Sequence, residues 1–460
     1  MSDIARISSG NPQADKILHG GFPAYSINLI MGQPGSGKTV LAQQIAFHNA
    51  EDKHPILYLT TLAEPVSKVV RHVQRFSFFD ADKIGSAINY QDIGTALAKD
   101  GIGVLSPLLK EAIKAKPPKI IIVDSFKVLH DLAESKSDMR KMLFELTGLL
   151  TSYETTAFFL GDYSDEDAKG SPEFAVVDSI VQLLRSGQST RDERFLRVLK
   201  LRDSSYIEGL HGFHIANKGL DIYPRLVTPD ASQTDNYVVG EEQVPSGIDG
   251  LDKIIGGGLW KGSMTLLSGG TGTGKTTMAL QFALEGLRQG VQSLYVNLQE
   301  NPAQLARSVS NLTGSNMNES GLEMLYISPV EVQIDSIIVT LFAMIQEKNT
   351  KRVVIDSIGD LAMAASDPQR LHDYLYALVQ HFAVQGITAM FTLETGDAIT
   401  GASSDSPLGR ISYMSDNIFL LDLTQRPEPL REIRCVKTRG SEQNLAVHQF
   451  TIAKDGIHIS

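Results

Sequence analysis

Short, unbroken apolar runs alternate along this chain with longer stretches in which apolar residues recur at helical spacing. Ile56-Leu57-Tyr58-Leu59, Ile120-Ile121-Ile122-Val123 and Ala157-Phe158-Phe159-Leu160 are runs of the first kind. Leu294-Tyr295-Val296, Val353-Val354-Ile355 and Ala389-Met390-Phe391 follow in the second half. A strand with one wet face alternates apolar and polar residues, whereas a continuous run fits a strand buried on both faces. Such strands, separated by helices, predict a mostly parallel sheet flanked by helices. Ligands of these sheets sit at the carboxyl ends of the strands.

The pattern is written twice. Asp15-Lys16-Ile17 returns as Asp252-Lys253-Ile254, Gly20-Gly21-Phe22 as Gly257-Gly258-Leu259, and Lys200-Leu201-Arg202 as Lys437-Thr438-Arg439, each 237 residues later (252 minus 15). Solenoid repeats run to roughly 20–50 residues, so a period this long means tandem domains. At 460 residues the chain also exceeds what one core accommodates. The expected organisation is an α/β domain over 1–226, a linker over 227–242 and a second α/β domain over 243–460. Between them Thr228–Asn236 is polar and turn-rich.

Each half carries one G-x-x-x-x-G-K-[ST] segment between an apolar strand and an amphipathic stretch: Gly32-Gln33-Pro34-Gly35-Ser36-Gly37-Lys38-Thr39 and Gly269-Gly270-Thr271-Gly272-Thr273-Gly274-Lys275-Thr276. The glycines let backbone N–H groups turn inward around phosphate oxygens, the lysine reaches the terminal phosphates, and the threonine hydroxyl meets Mg²⁺. With Val40 and Thr277 one place further on, these residues predict two ATP or GTP sites. Asp124 and Asp356 end buried strands and fit the acidic residue that orients the metal, so Thr39 with Asp124 and Thr276 with Asp356 are the candidate Mg²⁺ ligands. The halves diverge at the next position. The strand after the first helix runs into Thr60-Thr61-Leu62-Ala63-Glu64-Pro65 in one copy and Asn297-Leu298-Gln299-Glu300-Asn301-Pro302 in the other. Glu300 is a candidate catalytic base; its counterpart, Ala63, cannot polarise an oxygen.

Composition narrows the function. A net charge of −11 argues against a dedicated nucleic-acid binder. The single cysteine, Cys435, allows no internal disulfide and fits a reducing compartment. The amino-terminal residues lack the apolar core of a signal peptide, and no run approaches the ~18 apolar residues of a membrane span. A soluble, cytoplasmic protein is expected.

The ordered set, in duplicate, resembles the KaiC group of the RecA-like ATPases over nearly the whole chain. The resemblance implies two tandem RecA-like P-loop domains using ATP and Mg²⁺, a double-ring hexamer with nucleotide between subunits, and autokinase and autophosphatase activity in the second ring. It assigns Lys200 and Arg202, and Lys437 and Arg439, to a neighbouring subunit's nucleotide. It aligns Ser412 and Tyr413 with the phosphoacceptors, where Tyr413 replaces a second hydroxyl of the Ser-Thr type; Glu173–Asp178 of the first half offers no hydroxyl. A KaiB-like protein fits as a partner. The chain stops at Ser460, before the tail through which the family engages KaiA, so a KaiA-type partner is not expected. Three readings compete: an ATPase with serine autokinase activity, a nucleotide-dependent ring scaffold, and a recombinase. At Ser412 itself, the alternative to an acceptor is a strand that turns Ile411 and Tyr413 inward.

Overall fold

A computed structural model describes residues 5–61, 65–187, 192–230, 242–365, 367–394, 411–424, 428–442 and 444–460. The chain divides into two compact units, Met1–Arg225 and Leu226–Ser460. Leu62, Ala63 and Glu64, from which the first half's weak chemistry is read, lie outside the described residues, as do most of the expected linker and Arg410.

Among the described residues each unit builds one nine-stranded sheet with the same order. In the first unit Ile27–Gly32 is central. Thr156–Gly161, Ile120–Asp124, Ile56–Thr60 and Ile88–Asp92 run parallel to it on one side, and Ser179–Ser186 on the other. Three antiparallel strands then extend the sheet: Glu193–Leu201, His211–Ala216 and Gly219–Tyr223. The second unit repeats this around Met264–Gly269, flanked by Thr388–Glu394 and Asn417–Thr424.

The continuous apolar runs are explained by what covers them. Ile30, Ile122 and Phe158 face one core, packed with Leu41 and Ile45 of the helix Lys38–Asn49. Their neighbours Leu29, Val123 and Phe159 face the opposite core, with Leu109, Met139 and Leu146 from the helices Leu105–Ala115 and Lys136–Ser152. Side chains alternate across a strand, so a sheet covered twice needs apolar residues at every position. All six residues of Ile27–Gly32 and of Met264–Gly269 are buried.

This architecture has two ends. The parallel strands deliver Gly32, Thr60, Asp124 and Gly161 to one edge of the sheet. Glu193–Leu201 runs the other way, pairing Leu201 with Ser179, which pairs in turn with Asn28. In the second unit Thr438 faces Asn417, beside Thr265. The K-x-R segments therefore lie at the amino end of the central strands, and the glycine-rich loops at the carboxyl end.

Candidate functional site

Each glycine-rich turn is shaped by demands only glycine meets. Gly37 and Gly274 stand at φ +106° and +108°, in a region that favours glycine, and lead directly into the helices Lys38–Asn49 and Lys275–Arg288. A Cβ on Gly32 would sit 2.1 Å from the Leu183 carbonyl oxygen, and one on Gly269 2.3 Å from that of Leu421. Lys38 Nζ donates to the carbonyls of Gly32 and Gln33 at 2.9 and 3.0 Å, and Lys275 Nζ to those of Gly269 and Gly270 at 2.9 and 2.8 Å. The lysines thus arch back over their own loops. Ser36 and Thr273 are buried beneath the turns, while Gly35, Thr271 and Gly272 lie on their exposed side. The helix N-terminus adds unpaired N–H groups and a favourable dipole for an anion.

Beside each loop a hydroxyl and a carboxylate meet. Thr39 Oγ1 donates to Asp124 Oδ2 at 2.9 Å, and Thr276 Oγ1 to Asp356 Oδ2 at 2.9 Å. Two tyrosines that sequence reasoning missed complete the arrangement. Tyr58 and Tyr295 donate to the same carboxylate oxygens at 2.8 and 2.6 Å. Burial and the adjacent aspartate push both phenols far above their ordinary range, so each keeps its proton and remains a donor. Thr392 donates to the other oxygen of Asp356.

Oxygen donors of this kind suit Mg²⁺, which binds through one or two protein oxygens while phosphate and water supply the rest. No cluster of three or more His, Cys, Asp or Glu able to hold a metal occurs among the described residues. In the first unit Lys38, Thr39 and Asp124 open onto a cleft of about 470 Å³ that Val69, Val73 and Phe76 also line. A cationic and hydroxylic end joined to an apolar wall fits a nucleotide.

A second acidic residue touches each loop, also unforeseen. Asp162, just past Thr156–Gly161, lies 2.5 Å from Lys38 Nζ, and Glu394, at the end of Thr388–Glu394, accepts from the Thr271 hydroxyl. No local motif marks either residue. They become neighbours of the loop because their strands pair beside the central ones.

Glu300 is held ready by Asn297. The Asn297 Oδ1 accepts from the backbone N–H of Gln299 and Glu300 at 3.2 and 2.9 Å, and its Nδ2 donates to the Glu300 carbonyl at 2.7 Å. The Glu300 carboxyl is raised above its ordinary range, first by burial and then by the charge of Asp356. A carboxylate shifted this way is a better proton acceptor near neutrality.

Lys200, Arg202, Lys437 and Arg439 do not reach their own loops. Lys437 Nζ donates to the Ser412 carbonyl at 2.8 Å, and Arg439 donates to the Tyr413 carbonyl at 3.0 Å and pairs with Asp416 at 3.4 Å. Lys200 grips the carbonyls of Phe174 and Val177 at 3.3 and 2.6 Å, and Arg202 pairs with Asp178 at 3.2 Å. Residues 411–414 form a helical turn rather than a strand, with Met414 N–H donating to the Ile411 carbonyl at 3.0 Å. Ile411 and Met414 face inward, so Tyr413 is not turned into the core; it stays 47% exposed, and Ser412 is half-buried.

Two doubly wound sheets, each with a phosphate loop and a Thr–Asp pair at the carboxyl ends of its strands, define a tandem RecA-like P-loop ATPase. The family model for the KaiC ATPase matches residues 7–227 and again residues 244–460, and the chain belongs to that family. Among curated relatives, the circadian clock oscillator protein KaiC of Picosynechococcus sp. is 28% identical over 97% of this chain and 87% of its own length. The circadian clock protein KaiC3 of Synechocystis sp. is 26% identical over 99% of this chain and 92% of its own. No helix of the described residues is long and apolar enough to cross a membrane.

Proposed function

We propose that this ATPase assembles into a ring, with a hexamer the expected form, and that its second domain transfers the γ-phosphoryl group of ATP to Ser412 of a neighbouring subunit and later removes it. One observation carries the reading: the acceptor turn and its own phosphate loop lie at opposite ends of the same sheet. Met264 and Gly269 bound the central strand, and Asp416 N–H bonds to the Met264 carbonyl. At about 3.3 Å per residue the loop is some 16 Å from that end. A loop and an acceptor so separated can meet only across a subunit boundary.

In that arrangement each residue has a task. Lys275 and the amino end of Lys275–Arg288 hold the phosphates, and Thr276 and Asp356 would hold Mg²⁺. Bound there, the ion would neutralise charge on the β- and γ-phosphates. Glu300 of one subunit takes the Ser412 proton of the next as the serine oxygen attacks phosphorus. Lys437 and Arg439, already bonded to the acceptor backbone, arrive with it and offset charge on the transferring group. In the first domain Lys38, Thr39 and Asp124 bind nucleotide, with Lys200 and Arg202 from the neighbour. The relatives' names support a timing or signalling role, and a KaiB-like partner belongs to the same reading.

Incubation of the full chain with Mg-ATP, followed by phosphopeptide mapping, tests the acceptor. Phosphate on Ser412, lost in Ser412→Ala, is the expected result. Phosphate at an unchanged level in that variant removes Ser412 from the mechanism, and no phosphate at all leaves a nucleotide-dependent scaffold.

A further inference from the structure

We propose that Asp162 and Glu394 compete with the γ-phosphate of ATP for the loops they touch, and so set how strongly each site prefers ATP to ADP. The inference rests on the reading of both loops as nucleotide sites, and concerns two carboxylates to which that reading gives no task. The two are equivalent by register. In the first sheet Met31 of the central strand pairs with Gly161, which brings Asp162 level with Gly32. In the second, Gly269 pairs directly with Glu394. An acid thus stands beside the first glycine of the loop in both halves, an aspartate in one and a glutamate in the other.

Each acid faces the part of its loop that meets the terminal phosphates. Asp162 Oδ1 lies 2.5 Å from Lys38 Nζ; the lysine side chain is nearly buried, while that of the aspartate keeps half its surface exposed. Asp162 also lines the same cleft as Lys38, Thr39 and Asp124. In the second half Glu394 accepts from the Thr271 hydroxyl. Its charge reaches Lys275 as well: burial lowers the pKa of that lysine, and Glu394 and Asp356 oppose the fall. Asp162 follows the last residue of Thr156–Gly161, and Glu394 is the exposed last residue of Thr388–Glu394. An exposed side chain at a strand end can rotate away at little cost, because ion pairs that meet solvent are weak.

A lysine has three N–H donors. Lys38 gives two to the carbonyls of Gly32 and Gln33, and Asp162 stands at the third. A γ-phosphate oxygen that reaches this lysine must displace the carboxylate or sit beside a like charge. ADP ends at the β-phosphate and meets less of that repulsion. A side chain with two positions is shifted only by a ligand that binds better to one of them, and the γ-phosphate is such a ligand. The acid moves off for ATP, returns when the γ-phosphate departs, and narrows the difference in affinity between the two nucleotides.

The test is a titration of the full chain with Mg-ADP and with the Mg complex of the β,γ-imido analogue of ATP, which resists hydrolysis. Lys275→Ala protein reports the first loop and Lys38→Ala protein the second, at a concentration where light scattering gives the same mass with either nucleotide. Added to the first, Asp162→Asn is expected to raise the ratio of the ADP to the analogue dissociation constant about tenfold. Asp162→Glu, which keeps the charge, is expected to leave the ratio near its starting value. Glu394→Gln should act on the second loop as Asp162→Asn does on the first. An unchanged ratio at either loop overturns the inference for that loop. Weaker binding of the analogue alone also overturns it, and would make the carboxylate a holder of Mg²⁺ or of the attacking water. Loss of both nucleotides from both single-loop proteins, with circular dichroism unchanged, overturns the reading of the loops and the inference with it.

Discussion

Asp356 and Glu300 sit beside the same phosphate loop in different surroundings. Three hydroxyls, from Thr276, Tyr295 and Thr392, donate to Asp356. Glu300 is half-buried with that negative charge nearby, so its proton is held to higher pH. In the proposed phosphoryl transfer Glu300 must be ionised to take up the serine proton. Activity is therefore expected to fall as pH drops through a value above the usual carboxylate range of about 4.3. Glu300→Gln should lower the transfer rate by about 10²–10⁴-fold and remove that acid limb. The stability sign runs the other way. A raised folded-state pKa contributes stability that is full below the unfolded value and is lost as pH rises through the folded one. Above its folded-state pKa the ionised Glu300 is a burden on the fold, and there Glu300→Gln is expected to melt no earlier than wild type. A variant that loses activity together with several degrees of Tm would make Glu300 structural. Glu300 stood out as a candidate from its place two residues before a proline shared by both halves. Tyr58, Tyr295, Asp162 and Glu394 did not, because their roles depend on which strands become neighbours.

At the scale of elements, the strands were legible wherever burial on both faces forced a run of apolar residues, as in Ile120–Val123 and Val353–Ile355. The proposed acceptor turn was harder to read. Ile411 and Tyr413 flank Ser412 as inward residues of a strand would, yet the helical turn buries Ile411 with Met414 and leaves Tyr413 out. The reversal of direction between Asn417–Thr424 and Leu430–Thr438 sends Lys437 to the edge away from the loop. That reversal makes a mixing experiment informative. Lys275→Ala subunits lack the loop lysine but keep the cations; Arg439→Ala subunits have the opposite defect. Mixed before ATP is added, they form some interfaces with both parts intact, and phosphorylation should exceed that of either variant alone. No recovery in rings shown by mass to contain both subunits would mean that loop and cation act within one chain.

For the whole molecule, assembly and nucleotide are tied through charge. A chain of net charge −11 repels its own copies, while in the proposed ring nucleotide held against one subunit's lysine would offer phosphates to the next subunit's Lys200 and Arg202. Ring formation is expected to require ATP, and Lys38→Ala should weaken it more than Lys275→Ala if the first domains form the main structural tier. Light scattering with and without nucleotide checks this; a hexamer that persists in nucleotide-free buffer and ignores both substitutions would sink the idea. Placing the loop and the K-x-R cations on opposite edges of one sheet also gives such a ring a direction. Each joint is heterologous, one subunit's carboxyl edge against the next one's amino edge. Every subunit then has an upstream neighbour that modifies it and a downstream neighbour that it modifies, and word of a spent nucleotide circulates one way only.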